Sequence, residues 1–375
     1  MPRGPTTLLR LAVAAAAVAV LVSPRLRGRV MYGLKAAQFL VHGSWAYTRG
    51  GFERHARERF RERDWASADL SGRHVLITGA NSGIGYCAAE SLSRLGACVH
   101  LLCRSEERGR DALTRLRQQL PAEADAASRL FLHQLDVSEL HSVHRFAREY
   151  EAGGYPAPSV LVHNAGVMQQ PRALTSEGVE VNFATNVLGP FALTELLLPR
   201  MVTAPGGDAR VIFVTSAGML TECLEADDLE YAQATPFDAT RQYSRNKRQQ
   251  VALAEHYAAH ASDKVLFLSC HPGWVDTPIL RTSMPSFYQR TQSMLRTPEQ
   301  GADTVVWLAA APREQLVNGG FYFDRAPAKK HLPLSDTRYS MRDVERLYAQ
   351  LQGYRRRLEP QVARASPPAS LDAQN

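Results

Sequence analysis

From Arg73 onward the chain alternates short, unbroken apolar runs with stretches of helical period, and this alternation restricts the available folds more than any other feature. The runs are His74 to Ile77, Val99 to Leu102, Leu130 to Leu135, Val160 to Val162, Val211 to Val214 and Val265 to Ser269. Each is too short for a helix and apolar on both faces, as a strand is when helices cover its sheet on either side. Segments such as Gly85 to Leu95 and Glu106 to Leu120 supply those helices. The expected fold is α/β, with a doubly wound parallel sheet forming one domain over residues 71–325. An N-terminal extension precedes it, and residues 326–375 hold one more helix, Met341 to Arg357, and a frayed tail. A length of 375 residues would allow two domains of about 150 each, but single α/β units of about 250 residues are common, so the pattern decides. With 45% hydrophobic and 22% charged residues, a large packed core is affordable in composition.

The first run ends in Thr78-Gly79-Ala80-Asn81-Ser82-Gly83-Ile84-Gly85 and opens directly into a helical pattern. Glycines there permit a tight turn and bring backbone N–H groups close to a pyrophosphate at a helix N-terminus, where the macrodipole favours anions. Between a first strand and its helix, such a triplet has the context that dinucleotide binding requires, which makes the expected fold Rossmann-like. The alternative is a glycine-rich turn without a ligand. At the end of the second run, Leu102-Cys103-Arg104-Ser105 puts a guanidinium where an NAD-specific site would put an acid. A guanidinium suits a 2′-phosphate and an acid repels it, so NADP(H) is favoured over NAD. A solvated residue opening the next helix is the other reading of Arg104.

The glycine spacing, three residues and then one, resembles that of the short-chain dehydrogenase/reductase family, and further marks follow in order over about residues 71–325. Asp136 is similar to the family's adenine-contacting acid. His163-Asn164-Ala165-Gly166 resembles its Asn-Asn-Ala-Gly strand end, with His163 in place of the first Asn, a departure that touches a local hydrogen bond more than catalysis. Asn186, in Asn186-Val187-Leu188-Gly189, matches the catalytic asparagine. Ser216 matches the active-site serine, and Tyr243-Ser244-Arg245-Asn246-Lys247 matches the Tyr-x-x-x-Lys pair. His271-Pro272-Gly273-Trp274-Val275-Asp276-Thr277-Pro278 matches the Pro-Gly motif that embraces the nicotinamide. The resemblance implies catalytic roles for Asn186, Ser216, Tyr243 and Lys247. It implies a cofactor held by Gly79, Asn81, Ser82, Gly83, Ile84, Gly85, Arg104, Asp136, Asn164, Tyr243, Lys247, Pro272, Gly273, Val275 and Thr277. Further segments, Tyr47 to Glu53, Asn246 to Gln250, Gly301 to Thr304 and Asp324-Arg325 with His331-Leu332-Pro333, resemble one particular member of the family from near Met31 onward.

The chemistry of these residues also stands by itself. Tyr243 and Lys247 are four residues apart and share a helix face, so an ammonium can stabilise tyrosinate and lower a phenol pKa from its usual ~10. That suits Tyr243 to general acid/base work, and Ser216 can donate a hydrogen bond to a carbonyl oxygen that gains charge. The resemblance further implies that Lys247 bonds the nicotinamide ribose and that Asn186 holds a water linking Lys247 to solvent. The expected activity is NADP(H)-dependent interconversion of a carbonyl and an alcohol on a small hydrophobic substrate, such as a lipid aldehyde, retinoid, steroid or xenobiotic ketone. The competing class is a nucleotide-binding interaction protein with little turnover, which would not need the tyrosine acid.

Residues 1–52 hold seven basic residues and no acidic one, leaving 37 of the 44 basic residues against 37 acidic ones. The formal net charge of +7 belongs to this segment, so the body is not a basic nucleic-acid-binding surface. Within the leader, residues 1–30, Leu11 to Val22 is an apolar run flanked by arginines and shorter than a ~30 Å hydrocarbon core needs. A cleaved secretory signal, a mitochondrial transit peptide, a short signal anchor and a disordered leader each fit part of it. Membrane association through residues 1–46, at the endoplasmic reticulum or mitochondrion with the catalytic domain in a reducing compartment, is the expectation. Met31 offers an alternative start. Met31 to Tyr47 reads either as an amphipathic surface helix or as a segment packed on the body, and residues 53–70 as a solvated helix or linker.

The five cysteines lack a CxxC pair and read as core residues rather than disulfides or a zinc site. His256 and His260, at i and i+4, lack an evident third ligand and read as a solvated helix face, so no metal is expected. Met284, Phe287, Tyr288 and Met294 fit either a lid over an apolar substrate or core packing, and Ala217 to Gln242 helps to wall the pocket. The family is compatible with a homo-oligomer and equally with a membrane-tethered monomer.

Overall fold

All six apolar runs form strands in the structure, a computed structural model that describes residues 24–60, 65–120, 128–333 and 335–365. They are β1 (His74–Thr78), β2 (Cys98–Cys103), β3 (Leu130–Gln134), β4 (Val160–His163), β5 (Ala209–Val214) and β6 (Val265–Cys270). The apolar run Leu11 to Val22 and the tail from residue 366 lie outside the described residues. The strands pair in parallel in the order β3-β2-β1-β4-β5-β6, with Val75 opposite both Val99 and Val160. Two short strands absent from the sequence reading complete the eight-stranded sheet: β7 (Phe321–Phe323), parallel to β6, and β8 (Ala326–Pro327), antiparallel to β7. They escaped it because they are brief, and because their turn uses Asp324 (φ 47°) and Arg325 (φ 57°) in the left-handed region where glycine usually marks a hairpin.

The chain leaves β1 toward β3 on one side and then crosses to β4 on the other. The C-terminal ends of β1 and β4 therefore flank a topological switch point, where open sheets of this kind bind ligands. The helices in chain order begin with α1 (Pro24–Ala46), α2 (Arg49–Arg59), α3 (Gly83–Arg94), α4 (Glu106–Gln119) and α5 (Leu140–Ala152). They continue with α6 (Val181–Met201), α7 (Ala239–His260), α8 (Pro278–Ser283), α9 (Pro285–Thr291), α10 (Pro298–Ala310) and α11 (Met341–Ala365). Leu92 of α3, Leu116 of α4 and Trp307 of α10 cover one face of the sheet. Phe146 of α5, Phe191 of α6 and Leu253 of α7 cover the other, joined by α11. The last helix runs past the expected Arg357 because its stripe of Val344, Leu347, Leu351, Leu358 and Val362 is buried in that core. His256 lies beneath it, its ring 3.9 Å from that of Tyr348, which corrects the expectation of a solvated His256–His260 face.

For α1 each of the two readings holds on one face. Inward, Lys35 is buried and donates to Asp336 Oδ1 at 2.7 Å, while Ala46 and Tyr47 are almost fully enclosed. Outward, Val30, Leu34, Val41 and Trp45 form a stripe at helical spacing, with Val41 73% and Trp45 58% exposed. Arg296 locks this extension to the body. Its guanidinium, 1% exposed, donates to Asp324 Oδ1 at 2.6 Å and Oδ2 at 2.8 Å, to the Ala46 carbonyl at 2.9 Å and to the Tyr47 carbonyl at 3.0 Å. It also reaches the Pro272 carbonyl at 3.3 Å, and His55 Nδ1 lies 2.6 Å from Asp324 Oδ2. Burial alone would raise the Asp324 carboxyl, but the Arg296 and His55 hydrogen bonds hold it below the usual carboxylate range.

Three histidines link neighbouring strands at the other edge. His74 Nδ1 lies 2.9 Å from His100 Nε2, and His100 Nδ1 lies 2.9 Å from His133 Nε2. A ring that donates at one nitrogen and accepts at the other must be neutral. Burial enforces this, lowering His100 to about 2 and His133 to about 4. The unfolded chain takes up protons on these rings below about pH 6.5 and the native chain does not, so stability is expected to fall with acidification. The loss should reach up to about 1.4 kcal/mol per pH unit for each ring that stays neutral, between pH 6.5 and 5. Urea midpoints that stay level from pH 7.5 to 5 would contradict this.

Candidate active site

The sequence motifs lie at the C-terminal ends of the strands, where the parallel sheet brings them together. The turn after β1 is held by Asn164 at the end of β4, whose Nδ2 donates to the carbonyls of Thr78 (2.9 Å) and Gly79 (3.2 Å). Thr78 Oγ1 accepts from the amides of Asn164 and Ala165, both at 3.0 Å. The fit leaves no room for a side chain at Gly85, where a Cβ would stand 2.4 Å from Asn164 Nδ2 and 2.6 Å from the Gly79 carbonyl. Ser82 precedes α3 without a side-chain hydrogen bond to the first-turn amides, and Asn81 to Ile84 line a cavity of about 500 Å³. Arg104 and Arg108, both exposed, stand on the same cavity beyond β2, with Asp136 beyond β3. Asp136 Oδ1 accepts from the Ser138 amide and hydroxyl.

Ser216, two residues past β5, begins a 3₁₀ turn and accepts from the Gly218 amide at 3.2 Å. Tyr243 and Lys247 are one turn apart on α7, whose start is capped by Asp238. Burial pushes the Tyr243 phenol up to about 12, partly opposed by its hydrogen bond with Ser216. Burial brings the Lys247 amine down to about 7. Lys247 Nζ lies 5.3 Å from the centre of the Tyr243 ring and donates to the Val214 carbonyl at 2.9 Å and to Gln250 Oε1 at 3.1 Å. The expected lowering of the phenol pKa therefore does not occur in this arrangement: burial dominates, and the ammonium's hydrogen bonds go to Val214 and Gln250.

Asn186 sits in a π-turn, Ala184–Leu188, within α6, a rare widening often found at functional sites. Its side chain is used on Val167, accepting from the amide and donating to the carbonyl, each at 2.9 Å. Its own carbonyl accepts from Gln250 Nε2 at 2.6 Å. A glutamine side chain thus connects Asn186 to Lys247. Pro272, Gly273, Val275 and Thr277 follow β6 and line the cavity. Gly273 has φ +84°, and a Cβ there would stand 2.5 Å from Arg296 Nε. Of the catalytic and cofactor residues singled out in the sequence, the cavity lining includes all but Gly85, beneath the turn, and Asn186, one hydrogen bond behind Val167. Met284 and Phe287 line it too, whereas Tyr288 is not part of the lining and Met294 is an exposed residue elsewhere.

The residues 73–226 match the family model of the short chain dehydrogenases. Over 326 residues the chain is 39% identical to dehydrogenase/reductase SDR family member 12 of Bos taurus, covering 87% of this chain and 99% of that one. The chain belongs to the short-chain dehydrogenase/reductase family. It is also 35% identical to the polyprenol dehydrogenase of Mus musculus, over 69% of this chain and 77% of that one. The crystal structure of an uncharacterized protein from Mycobacterium paratuberculosis is similar, with a TM-score of 0.56 at 26% identity, covering 80% of this chain and 97% of that chain.

A short-chain dehydrogenase/reductase is an oxidoreductase that works with a nicotinamide cofactor, and the site is built for such a group. The glycine cradle excludes side chains, the first-turn amides are uncapped by Ser82, and two arginines stand at the rim. His163, where family members have Asn, is fully buried, and burial lowers it to about 3. Thr194 Oγ1 gives its proton to the Pro190 carbonyl, so His163 Nε2 donates to Thr194 at 2.8 Å and Nδ1 is left without a partner among the described residues. Gln250, Arg108 and the α1 residues on the cavity were missed as site residues. Gln250 had a signal, since it lies seven residues after Tyr243 on the same helical face. Among the described residues the His/Cys/Asp/Glu cluster of closest ligand atoms is Glu139, His141 and Glu177, where Glu177 accepts from the Leu140 and His141 amides and so caps α5.

Proposed function

We propose that this oxidoreductase uses NADP(H) to interconvert a carbonyl and an alcohol on a small hydrophobic substrate, with Tyr243 as general acid/base. The observation that carries the reading is that Ser216, Tyr243 and Lys247 line one cavity with the glycine turn. When bound, the nicotinamide supplies or takes up the hydride. The amides of Asn81 to Ile84 would hold the pyrophosphate, Arg104 the 2′-phosphate and Asp136 the adenine side. Pro272, Gly273, Val275 and Thr277 would hold the nicotinamide side, with Lys247 on its ribose. A phenol held at about 12 carries its proton at neutral pH, which suits Tyr243 to protonate a substrate oxygen in the reductive direction. Ser216 would donate a hydrogen bond to the same oxygen. Gln250 and Val214 keep the Lys247 amine in place beside the phenol.

The substrate side of the cavity is apolar, with Val167, Met168, Leu280, Met284 and Phe287 on it. The name of the mouse relative, a polyprenol dehydrogenase, agrees with an apolar alcohol or its carbonyl product. The exposed stripe on α1 and the apolar, arginine-flanked run before it support a membrane surface as the working location.

In a panel of hydrophobic aldehydes and ketones, Tyr243→Phe is expected to lower NADPH oxidation on the order of 10²- to 10⁴-fold while NADPH binding, followed by fluorescence, is kept. Undiminished turnover in that variant would overturn the acid assignment. Arg104→Asp should weaken NADPH far more than NADH in the same titration, and equal effects on both would remove the NADP(H) preference. The full chain is expected to float with vesicles of mixed zwitterionic and anionic lipid. A chain that stays in the dense fraction would overturn membrane association.

A further inference from the structure

We propose that α1 is a wall of the substrate cavity, so that a helix lying before the dinucleotide fold selects the hydrocarbon part of the substrate. This rests on the carbonyl/alcohol reading above and adds to it a substrate class: carbonyls or alcohols with a long, flexible hydrocarbon chain. Tyr32, Ala36, Phe39 and Leu40 line the same cavity as Tyr243. Their spacing of four, three and one places them on one side of the helix, opposite Val41, with Leu40 half exposed at its edge.

The wall is fixed rather than loosely draped. Lys35, between Tyr32 and Ala36, is buried on Asp336, and the α1 end is held by Arg296 through the Ala46 and Tyr47 carbonyls. At Gly43 a Cβ would stand 2.4 Å from the Trp274 ring, so helix and Pro-Gly loop touch directly. An aromatic row continues the contact: Phe39 lies 5.9 Å from Trp274, and Trp274 lies 5.0 Å from Phe287 of α9, edge to face. The wall from α1 is thus joined to the Met284–Phe287 side of the cavity.

Its chemistry is that of a hydrocarbon site. Alanine, phenylalanine and leucine offer no hydrogen bonds, and burial raises the Tyr32 phenol, which is crossed by the Arg241 guanidinium at 4.7 Å. Ala36 is the small residue in the row and leaves room where a larger side chain would fill the cavity.

The test compares butanal with dodecanal as NADPH-dependent substrates of the full chain and of Ala36→Trp and Phe39→Ala. Ala36→Trp should lower kcat/KM for dodecanal by about 10-fold or more and leave butanal within about 2-fold, with NADPH affinity unchanged. Phe39→Ala should raise KM for dodecanal with kcat kept. A binding readout that needs no turnover runs in parallel: 1-dodecanol displaces 1-anilinonaphthalene-8-sulfonate from the wild-type chain and does so less well from Ala36→Trp. Ala36→Leu, a milder filling, guards against misfolding and should shift both readouts in the same direction. An unchanged dodecanal-to-butanal ratio together with unchanged dodecanol displacement in these variants would overturn the proposal. Wild-type inactivity on both aldehydes, with displacement still sensitive to Ala36→Trp, would sustain the wall and reject the reductase reading instead.

Discussion

The buried pair of Arg296 and Asp324 joins the end of α1, the Pro-Gly loop and the β7–β8 turn at one point. A guanidinium has five N–H donors in a rigid plane, and here they are distributed over one carboxylate and the carbonyls at the end of α1 and on the Pro-Gly loop. Removing one partner of such a pair leaves a buried charge unmatched, at a cost of about 3–5 kcal/mol in comparable systems, whereas forming it yields much less because both ions must be desolvated. Its value is therefore positional. Asp324 stands in the β7–β8 turn, Arg296 just before α10, and the carbonyls they gather belong to the α1–α2 corner and to residue 272. Gly273 is the consequence nearest the site: with the guanidinium 2.5 Å from where a Cβ would be, and φ at +84°, only glycine lets the loop close over Arg296.

At the reacting end, burial works on two groups in opposite directions. It favours the neutral phenol of Tyr243 and the neutral amine of Lys247, raising one and lowering the other. With the phenol at about 12 and the amine at about 7, Tyr243 carries its proton at neutral pH while Lys247 is divided between its charged and neutral forms. Gln250 adds no charge of its own, since its amide accepts from Lys247 and donates to the Asn186 carbonyl. The π-turn at Ala184–Leu188 turns the Asn186 carbonyl toward α7 while its side chain ties down Val167.

What could be read from the residues alone follows from where each signal is stored. The six strands were legible because a strand covered on both faces must be an unbroken apolar run, and their ends then located the glycine turn and Arg104, while Asp136, Asn164, Ser216 and the Pro-Gly loop were legible through the family resemblance. Tyr243 and Lys247 were legible through the same resemblance, and helix geometry, which puts i and i+4 on one face, gave the pair its chemical sense. The β7–β8 hairpin was not, since Asp324 and Arg325 take left-handed conformations without a glycine, compensated by tertiary contacts such as the Arg296 pair. The burial of His256 depends on α11, more than 80 residues later, and the burial of Arg296 on Asp324 and residues 46–48. Local pattern carries no record of such partners. Residues 31–47 showed amphipathicity but could not show that both faces of α1 are largely apolar, one turned into a cavity and one outward.

That two-sidedness follows from the architecture. The half of the cavity around the glycine turn is made of short loops fixed at both ends by strands and helices of the sheet, so its shape is tied to the fold itself. The opposite half has no strand to support it, and α8, α9 and α1 line it, with α1 and α9 joined through Trp274. A helix added before the first strand can be exchanged or lengthened without disturbing sheet pairing, whereas a change in the glycine turn disturbs Asn164 and β4 at once. Variation in substrate shape is therefore cheapest on the α1 side. The Arg296 pair makes that side usable, because it gives a segment that lies outside the sheet a defined position over the site.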